Sequence, residues 1–275
     1  MTFSVNTNAS ALSALQNLNK TASGLERVQT QINTGLKVAS SKDNAAVFAI
    51  AQSLRADVAG FRAATASIDR ALSTVDVAIA AGEAVSDLLI ELKEKAVAAK
   101  DSGLDTASRN SLHNDFTQLR SQITSIVDNA EFNGTNAVAS GGQAIVAITN
   151  DDASNKISIG AQDLSVGGGT VTLSATNSIS TAASASASVV AIESSIANVN
   201  DSLSELGAGA RRLELQRSFV AKLMDTVEVG IGNLVDADMA KASATLQSLQ
   251  VKQQLGLQAL SIANQAPQAV TSLFQ

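Results

Sequence analysis

The sequence predicts a mainly α-helical fold: a long antiparallel helical rod, coiled-coil-like helices at the two termini, and a small β-hairpin or meander region. Three observations carry that prediction. Apolar residues recur at helical spacing over most of the chain, in runs long enough for a rod. Two of these patterns sit at the extreme ends, with no partner nearby in sequence. From Gly141 to about Thr176 the character changes to short β-branched runs separated by turn residues.

The first helix follows Val5-Asn6-Thr7-Asn8. Ala11, Leu15, Leu18, Ala22, Leu25, Gln29 and Ile32 step by alternating four and three residues. This is a heptad seam, widened on its flank by Leu12 and Val28. Ser40, Ser41 and Asp43 are candidate N-caps for the second helix. Its stripe runs through Val47, Ile50, Leu54, Val58 and Phe61 and continues to Leu88, Leu92 and about Lys100. Gly60 and Gly82 lie inside it, each weakening the helix by about 1 kcal/mol relative to alanine. Close packing or a small bend is expected at both. Asp101-Ser102-Gly103 breaks the pattern. A third helix then runs from about Thr106 through Leu112, Phe116, Leu119, Ile123 and Ile126, and Glu131-Phe132-Asn133-Gly134 ends it with turn chemistry.

Residues 144–149, 156–159 and 170–173 read as short strands, with Asn150 to Asn155 as the turn between the first two. Ser178 to Ser188 reads as a serine-, alanine- and threonine-rich linker. The next helix is expected from near Ala187, either broken at Gly207 and Gly209 or running on through Leu213, Phe219 and Leu223. Gly230-Ile231-Gly232 reads as a hinge. Asp236 and Asp238 then cap the terminal helix and complement its dipole. The terminal stripe is Ala242, Leu246, Leu249, Gln253, Leu257 and Leu260, followed by Val270, Leu273 and Phe274. Burying each large side chain is worth roughly 1.5–3 kcal/mol. Both terminal stripes are therefore expected to meet each other or other copies of the chain.

Composition narrows the function. The 275 residues include no cysteine, tryptophan or tyrosine and a single histidine. The net charge is −6, without a basic cluster and with few aromatics, so nucleic acid is not the expected partner. The longest apolar run, Ala45 to Ala51, is too short to span a bilayer. Met1-Thr2-Phe3-Ser4 lacks the basic and apolar regions of a signal peptide. No catalytic, cofactor or metal site is expected. His113 has no cysteine to pair with and reads as a surface residue. Gly230-Ile231-Gly232 lacks the third glycine and preceding strand of a dinucleotide site. Glu91 precedes Lys95 by one turn, the favourable order for an ion pair.

The motifs VNTNASALSALQNLN, INTGLKVASSKDNAAVFAIA, GARRLEL and NLVDADMAKASATLQSLQVKQQLGLQALSIANQAPQAVTSLF stand in that order in the chain. Together they make the chain resemble a bacterial flagellin over roughly its first half and last third. It departs from the family at Gln31 and Gln275, where arginine is common, and at Ala242, where glutamate is common. The resemblance implies a short flagellin without large outer domains, building the helical filament for swimming motility. The alternative is a hook-filament junction protein.

The organisation it implies is 1–42 plus 232–275 as filament-core terminal helices, 43–136 plus 178–231 as a helical rod, and 137–177 as a small β-rich variable region. Expected filament-core packing residues are Leu12, Leu15, Leu18, Leu25, Val28, Ile32, Leu246, Leu249, Leu257, Leu260, Val270 and Leu273, with Asp43, Asp236 and Asp238 as helix caps. Implied partners are other copies of the chain, an export chaperone, the flagellar export apparatus, the filament cap and the hook-junction proteins. The implied location is the extracellular flagellum, reached by type III export without a cleaved signal peptide. In many flagellins a Toll-like receptor reads a surface of the pattern Leu-Gln-Arg-x-Arg-Glu-Leu-Ala-Val-Gln. Here residues 89–98 match it, but Glu91 replaces an arginine and Lys95 a leucine, so weak receptor activation is expected.

Overall fold

The computed structural model describes residues 7–271, with side chains described through residue 265. Five helices carry most of these residues: α1 (Ala9–Thr34), α2 (Ala45–Ala99), α3 (Thr106–Asn129), α4 (Ala182–Val235) and α5 (Met239–Thr271). Between α3 and α4 lie two antiparallel hairpins, β1 (Glu131–Phe132) with β2 (Thr135–Asn136), and β3 (Ile145–Ile148) with β4 (Lys156–Ile159). The chain forms two compact units. One holds residues 1–56 and 226–275, the other residues 57–225.

The second unit is built on strict seven-residue repeats. On α2, Phe61, Ile68, Val75, Leu89 and Ala96 form one buried row. Ala64, Ala71, Ala78, Val85, Leu92 and Ala99 form its neighbour. On α4 the large row is Ile192, Val199, Leu206, Leu213 and Val220. The adjacent row there is small: Ser188, Ser195 and Ser202, all buried, and then Gly209. Such spacing keeps one narrow seam facing inward. Phe116, Ile123 and Val127 of α3 complete the helical part of this core.

The small row on α4 lets irregular chain approach closely. The Ser195 hydroxyl lies 3.3 Å from the amide of Leu173, which donates to it, and Ser188 donates to the carbonyl of Ser178 at 3.1 Å. Residues 170–173, expected as a strand, are held this way instead. Val171 and Leu173 are fully buried, but no neighbouring strand edge pairs with them. The α4 start also differs from expectation. Thr181 and Ser184 cap each other reciprocally, each amide donating to the other's hydroxyl at 3.1 Å, so the helix begins at Ala182. Buried Ala185 and Ser188 then hold its first turns. Neither Gly207-Ala208-Gly209 nor Gly230-Ile231-Gly232 breaks it; α4 is continuous to Val235.

Other elements are fixed by local chemistry. Asn44, not Asp43, caps α2, accepting the amide of Val47 at 3.1 Å. Asp43 turns back instead, accepting the amides of Ala39 and Ser40. Asp105 caps α3 through the amide of Ser108 at 2.6 Å. Arg109 donates to the carbonyls of Ala99 and Asp101, satisfying the exposed end of α2. The β1–β2 turn is Asn133-Gly134, both with positive φ, the conformation of a tight two-residue hairpin. In β3–β4, Ile145, Ala147, Ile157 and Ile159 point into the core.

The helical glycines inside this unit mark close approaches. A Cβ on Gly60 would stand 2.6 Å from the backbone oxygen of Asp151, at the tip of the β3–β4 hairpin. A Cβ on Gly209 would meet Ile159 of β4 at 2.6 Å. Gly207, by contrast, has nothing within 4 Å. Gly60→Ala is therefore expected to destabilise the folded chain by about 1–3 kcal/mol through overpacking against backbone. Gly207→Ala should stabilise it by about 0.5–1 kcal/mol through lower unfolded-state entropy. Denaturant unfolding of the two variants reads both; equal shifts of the same sign would contradict the packing described.

Candidate assembly surface

The termini expected to seek partners do find each other. Helix α1 ends at Gly35, whose left-handed backbone (φ 71°) lets its amide donate to the Gln31 carbonyl at 2.8 Å. The chain after it forms a short antiparallel clasp. Leu36 pairs with Asp236, the amide of Lys37 donates to the carbonyl of Val235 at 2.7 Å, and that of Ala237 donates to the carbonyl of Gly35 at 2.8 Å. Beneath it, Val38, Ala51 and Val235 form a small buried cluster with Leu36, Val47, Phe48, Ile231 and Leu234 packed against it. Asp238 caps α5, accepting the amide of Lys241 at 3.0 Å, while Asp236 belongs to the clasp.

From this clasp α1 and α5 run antiparallel. Gly24 faces Leu249, Leu18 faces Gly256, and Asn8 donates to the carbonyl of Ala263 at 2.7 Å. Partner numbers fall steadily as α1 numbers rise, so the pairing keeps one register along its length. The inward row on α1 is Ala11, Ala14, Leu18, Thr21, Leu25, Val28 and Ile32. On α5 it is Ala242, Leu246, Leu249, Gln253, Gly256, Leu260 and Ala263. Both rows alternate three and four residues, the spacing of a coiled-coil seam.

The seam therefore takes Leu18, Leu25, Val28, Ile32, Leu246, Leu249 and Leu260 from the leucine pattern, but not Leu12, Leu15 or Leu257, which are exposed. Ala14, Thr21 and Gly256 fill alternate places. Spacing missed them because leucine carries more weight than alanine or glycine in an apolar stripe. Small residues at i−1 from each misplaced leucine were the available signal. The Val270 side chain and Leu273 lie outside the described residues.

A second feature is what the pair leaves uncovered. Val251, Leu255 and Ile262 recur by four and seven residues on one exposed face of α5, and Leu257 is exposed on another side of the helix. On α1, Leu12 and Leu15 are also exposed. In the seam itself only Val28 and Ala242 are buried. The two helices thus carry more apolar surface than one pairing can cover.

Electrostatic features are local. The amide and hydroxyl of Ser40 and the amide of Ala39 hold the Asp43 carboxyl below its usual value of 3.8, as those of Ser108 do for Asp105. Glu91 is exposed and does not pair with Lys95. Lys95 instead reaches Asp115 of α3 at 3.1 Å. The ring Nδ1 of His113 accepts the amide of Ile179 at 3.4 Å, a contact to the chain entering α4. Among the described residues no group of three or more histidine, cysteine, aspartate or glutamate side chains is placed to hold a metal ion. No described helix is long and apolar enough to cross a membrane.

Comparisons with known proteins agree across the chain. A family model of the bacterial flagellin N-terminal helical region matches residues 5–141. A second, of the bacterial flagellin C-terminal helical region, matches residues 189–274. Flagellin FljM of Caulobacter vibrioides is 46% identical over 272 residues, covering 99% of this chain and 98% of its own length. Flagellin C of Rhizobium meliloti is 32% identical over 321 residues, with 99% of both chains covered. A solved flagellar hook-associated protein structure from Vibrio parahaemolyticus superposes with a TM-score of 0.59 at 16% identity, covering 70% of this chain and all of that one; this likeness is one of fold alone.

Proposed function

The chain belongs to the bacterial flagellin family, and we propose that its paired terminal helices are the part that builds the core of the polymer. As a flagellin it is a structural subunit that self-assembles into the helical flagellar filament, which lies outside the cell and serves motility. It is a short form, without a large outer domain.

One observation supports the terminal helices in this role: the apolar face of α5 that α1 leaves bare. Val251, Leu255 and Ile262 have the spacing of a second seam, and a second copy of the chain carries the matching apolar surface. Head-to-tail contact between unlike faces repeats without closing and gives an open helical array. The α1–α5 seam is rich in small residues, so the isolated pair gains little burial by itself. Docking against several neighbours adds the rest, and the ends order together with assembly. Leu12, Leu15 and Leu257 join the seam residues as filament-core packing positions in this reading, and Val270 and Leu273 extend it.

The finer partners follow from the family. An export chaperone shielding the apolar C-terminal segment, the export apparatus, the filament cap and the hook-junction proteins are the expected contacts. Export through the flagellar apparatus needs no cleaved signal peptide, and a chain without cysteine forms no disulfide that would resist threading. By the same resemblance, Glu91 and Lys95 make the chain a weak Toll-like receptor agonist. A receptor reporter assay on monomer should give little signal, and strong signalling would defeat this reading.

The assembly reading is tested with Val251→Asp and Leu255→Asp. Both positions are exposed, so the monomer should keep its helical circular dichroism. Seeded growth on filament fragments, followed by electron microscopy, should be lost in either variant and retained in Lys252→Ala. Wild-type growth by the aspartate variants would show that this face is not an interface.

A further inference from the structure

Two exposed helix faces of the 57–225 unit complement each other in charge and in apolar content. On α2 the face opposite the buried Leu89–Leu92–Ala96 row carries Asp76, Glu83, Asp87, Ile90, Glu91, Glu94, and Val97. At 100° per residue these lie within about 60° of a single line along the helix. Ile90 and Val97 are 57% and 52% exposed. No cation shares the face. Lys93 and Lys95, the flanking candidates, are drawn sideways to Glu193 at 3.0 Å and Asp115 at 3.1 Å. The five acids have no partner among the described residues.

On α4 the face opposite Leu206, Leu213 and Val220 carries Ala208, Arg211, Arg212, Leu215 and Phe219. Leu215 is 73% exposed and Phe219 57%. Neither arginine has a partner among the described residues, whereas Arg217 nearby is held by Asp69 at 2.6 Å. Of the nearby acids, Glu205 stands two turns before Arg212 on nearly the same line but accepts a hydrogen bond from Gln162, and Glu214 sits about a quarter turn from Leu215. The patch from Arg211 to Phe219 is about 12 Å long and that from Asp87 to Val97 about 15 Å, so the two match in length.

We propose that the Arg211–Phe219 face of α4 in one subunit docks on the Asp87–Val97 face of α2 in a second copy of this chain, with Leu215 and Phe219 against Ile90 and Val97 and the arginines against Glu91 and Glu94. The occupant is a second copy because each face supplies what the other lacks. Two unpartnered arginines flank two bare apolar side chains on one, and unpartnered carboxylates flank two bare apolar side chains on the other. Unlike faces meeting in this way give a contact that repeats from subunit to subunit. Arginine suits the contact, since its planar fork binds carboxylates while its stem covers apolar surface. The contact rests on the filament reading and adds to it a lateral interface separate from the terminal helices.

The test is charge exchange in seeded polymerisation, read as the subunit concentration left in the supernatant at steady state. Arg211→Glu with Arg212→Glu, and separately Glu91→Arg with Glu94→Arg, should each raise that concentration by about tenfold or more, because like charges now face each other. The chain carrying all four changes should return to within about threefold of wild type, the coupling that only a direct contact gives. Circular dichroism of each monomer confirms that these exposed substitutions leave the fold intact. As a measurement independent of polymer yield, Glu94→Cys and Arg212→Cys subunits, mixed in filaments of this otherwise cysteine-free chain, should join through a short thiol crosslinker. Double variants that polymerise like wild type, four changes whose defects merely add, or absence of the crosslink in intact filaments would overturn the contact while leaving the filament reading standing. A wild-type chain that fails to grow on seeds overturns both.

Discussion

The apolar surface of α1 and α5 exceeds what two helices can bury against each other, and the behaviour of the whole chain depends on that excess. Their shared seam is filled by Ala11, Ala14, Thr21, Gly24, Ala242 and Gly256 as much as by leucine. It brings the helices close but buries little. Leu12, Leu15, Val251, Leu255 and Ile262 remain in water. Full burial of five such side chains is worth about 8–15 kcal/mol. Bringing two bodies together costs an estimated 4–15 kcal/mol. A single neighbour therefore offers little margin, whereas several neighbours sharing the faces of one subunit offer a large one. This is the energetic form of cooperative polymerisation.

The 57–225 unit obeys a different rule. Its seven-residue rows on α2 and α4 are closed within the chain, and nearly every large apolar side chain on them is buried. The intervening loops are fixed by side chains of those helices and of α3. Ser188 and Ser195 hold residues 172–178, and Arg120 donates to the carbonyl of Asn177 at 2.8 Å. Among the described residues no buried side-chain polar atom lacks a partner. The core of this unit is closed without neighbours. What it offers a second copy is confined to its outward faces, where charge and a few bare apolar groups decide the contact. In the proposed reading the chain separates a folded body closed on itself from ends whose stability is tied to assembly.

Much of this was legible in the sequence, because heptad spacing and capping chemistry are local signals. The long α2, the Asp101–Gly103 break, the Asp238 cap and the β3–β4 hairpin all follow from residues within one or two turns of each other. What escaped depends on contacts distant in sequence. Leu15 and Leu257 look like seam residues until Ala14 and Gly256 are seen to permit the closer approach. The Ala-Ser run before Ala187 has linker composition, yet it is helical because Ala185 and Ser188 are buried. Residues 170–173 have strand composition, but α4 supplies the partner for their backbone through Ser195 in place of a strand. Glu91 has the right spacing for Lys95, yet Asp115 of another helix takes the lysine. For the assembly surface, the residue types were readable and the face each occupies was not.

The most direct test is amide hydrogen exchange on the chain as monomer and as filament, resolved along the sequence. Residues 9–34 and 239–271 should exchange rapidly in the monomer and become protected by orders of magnitude in the filament. The buried rows of residues 61–99 and 192–220 should be protected in both. Terminal helices equally protected in monomer and filament would contradict ordering on assembly, since their order would then owe nothing to neighbouring subunits.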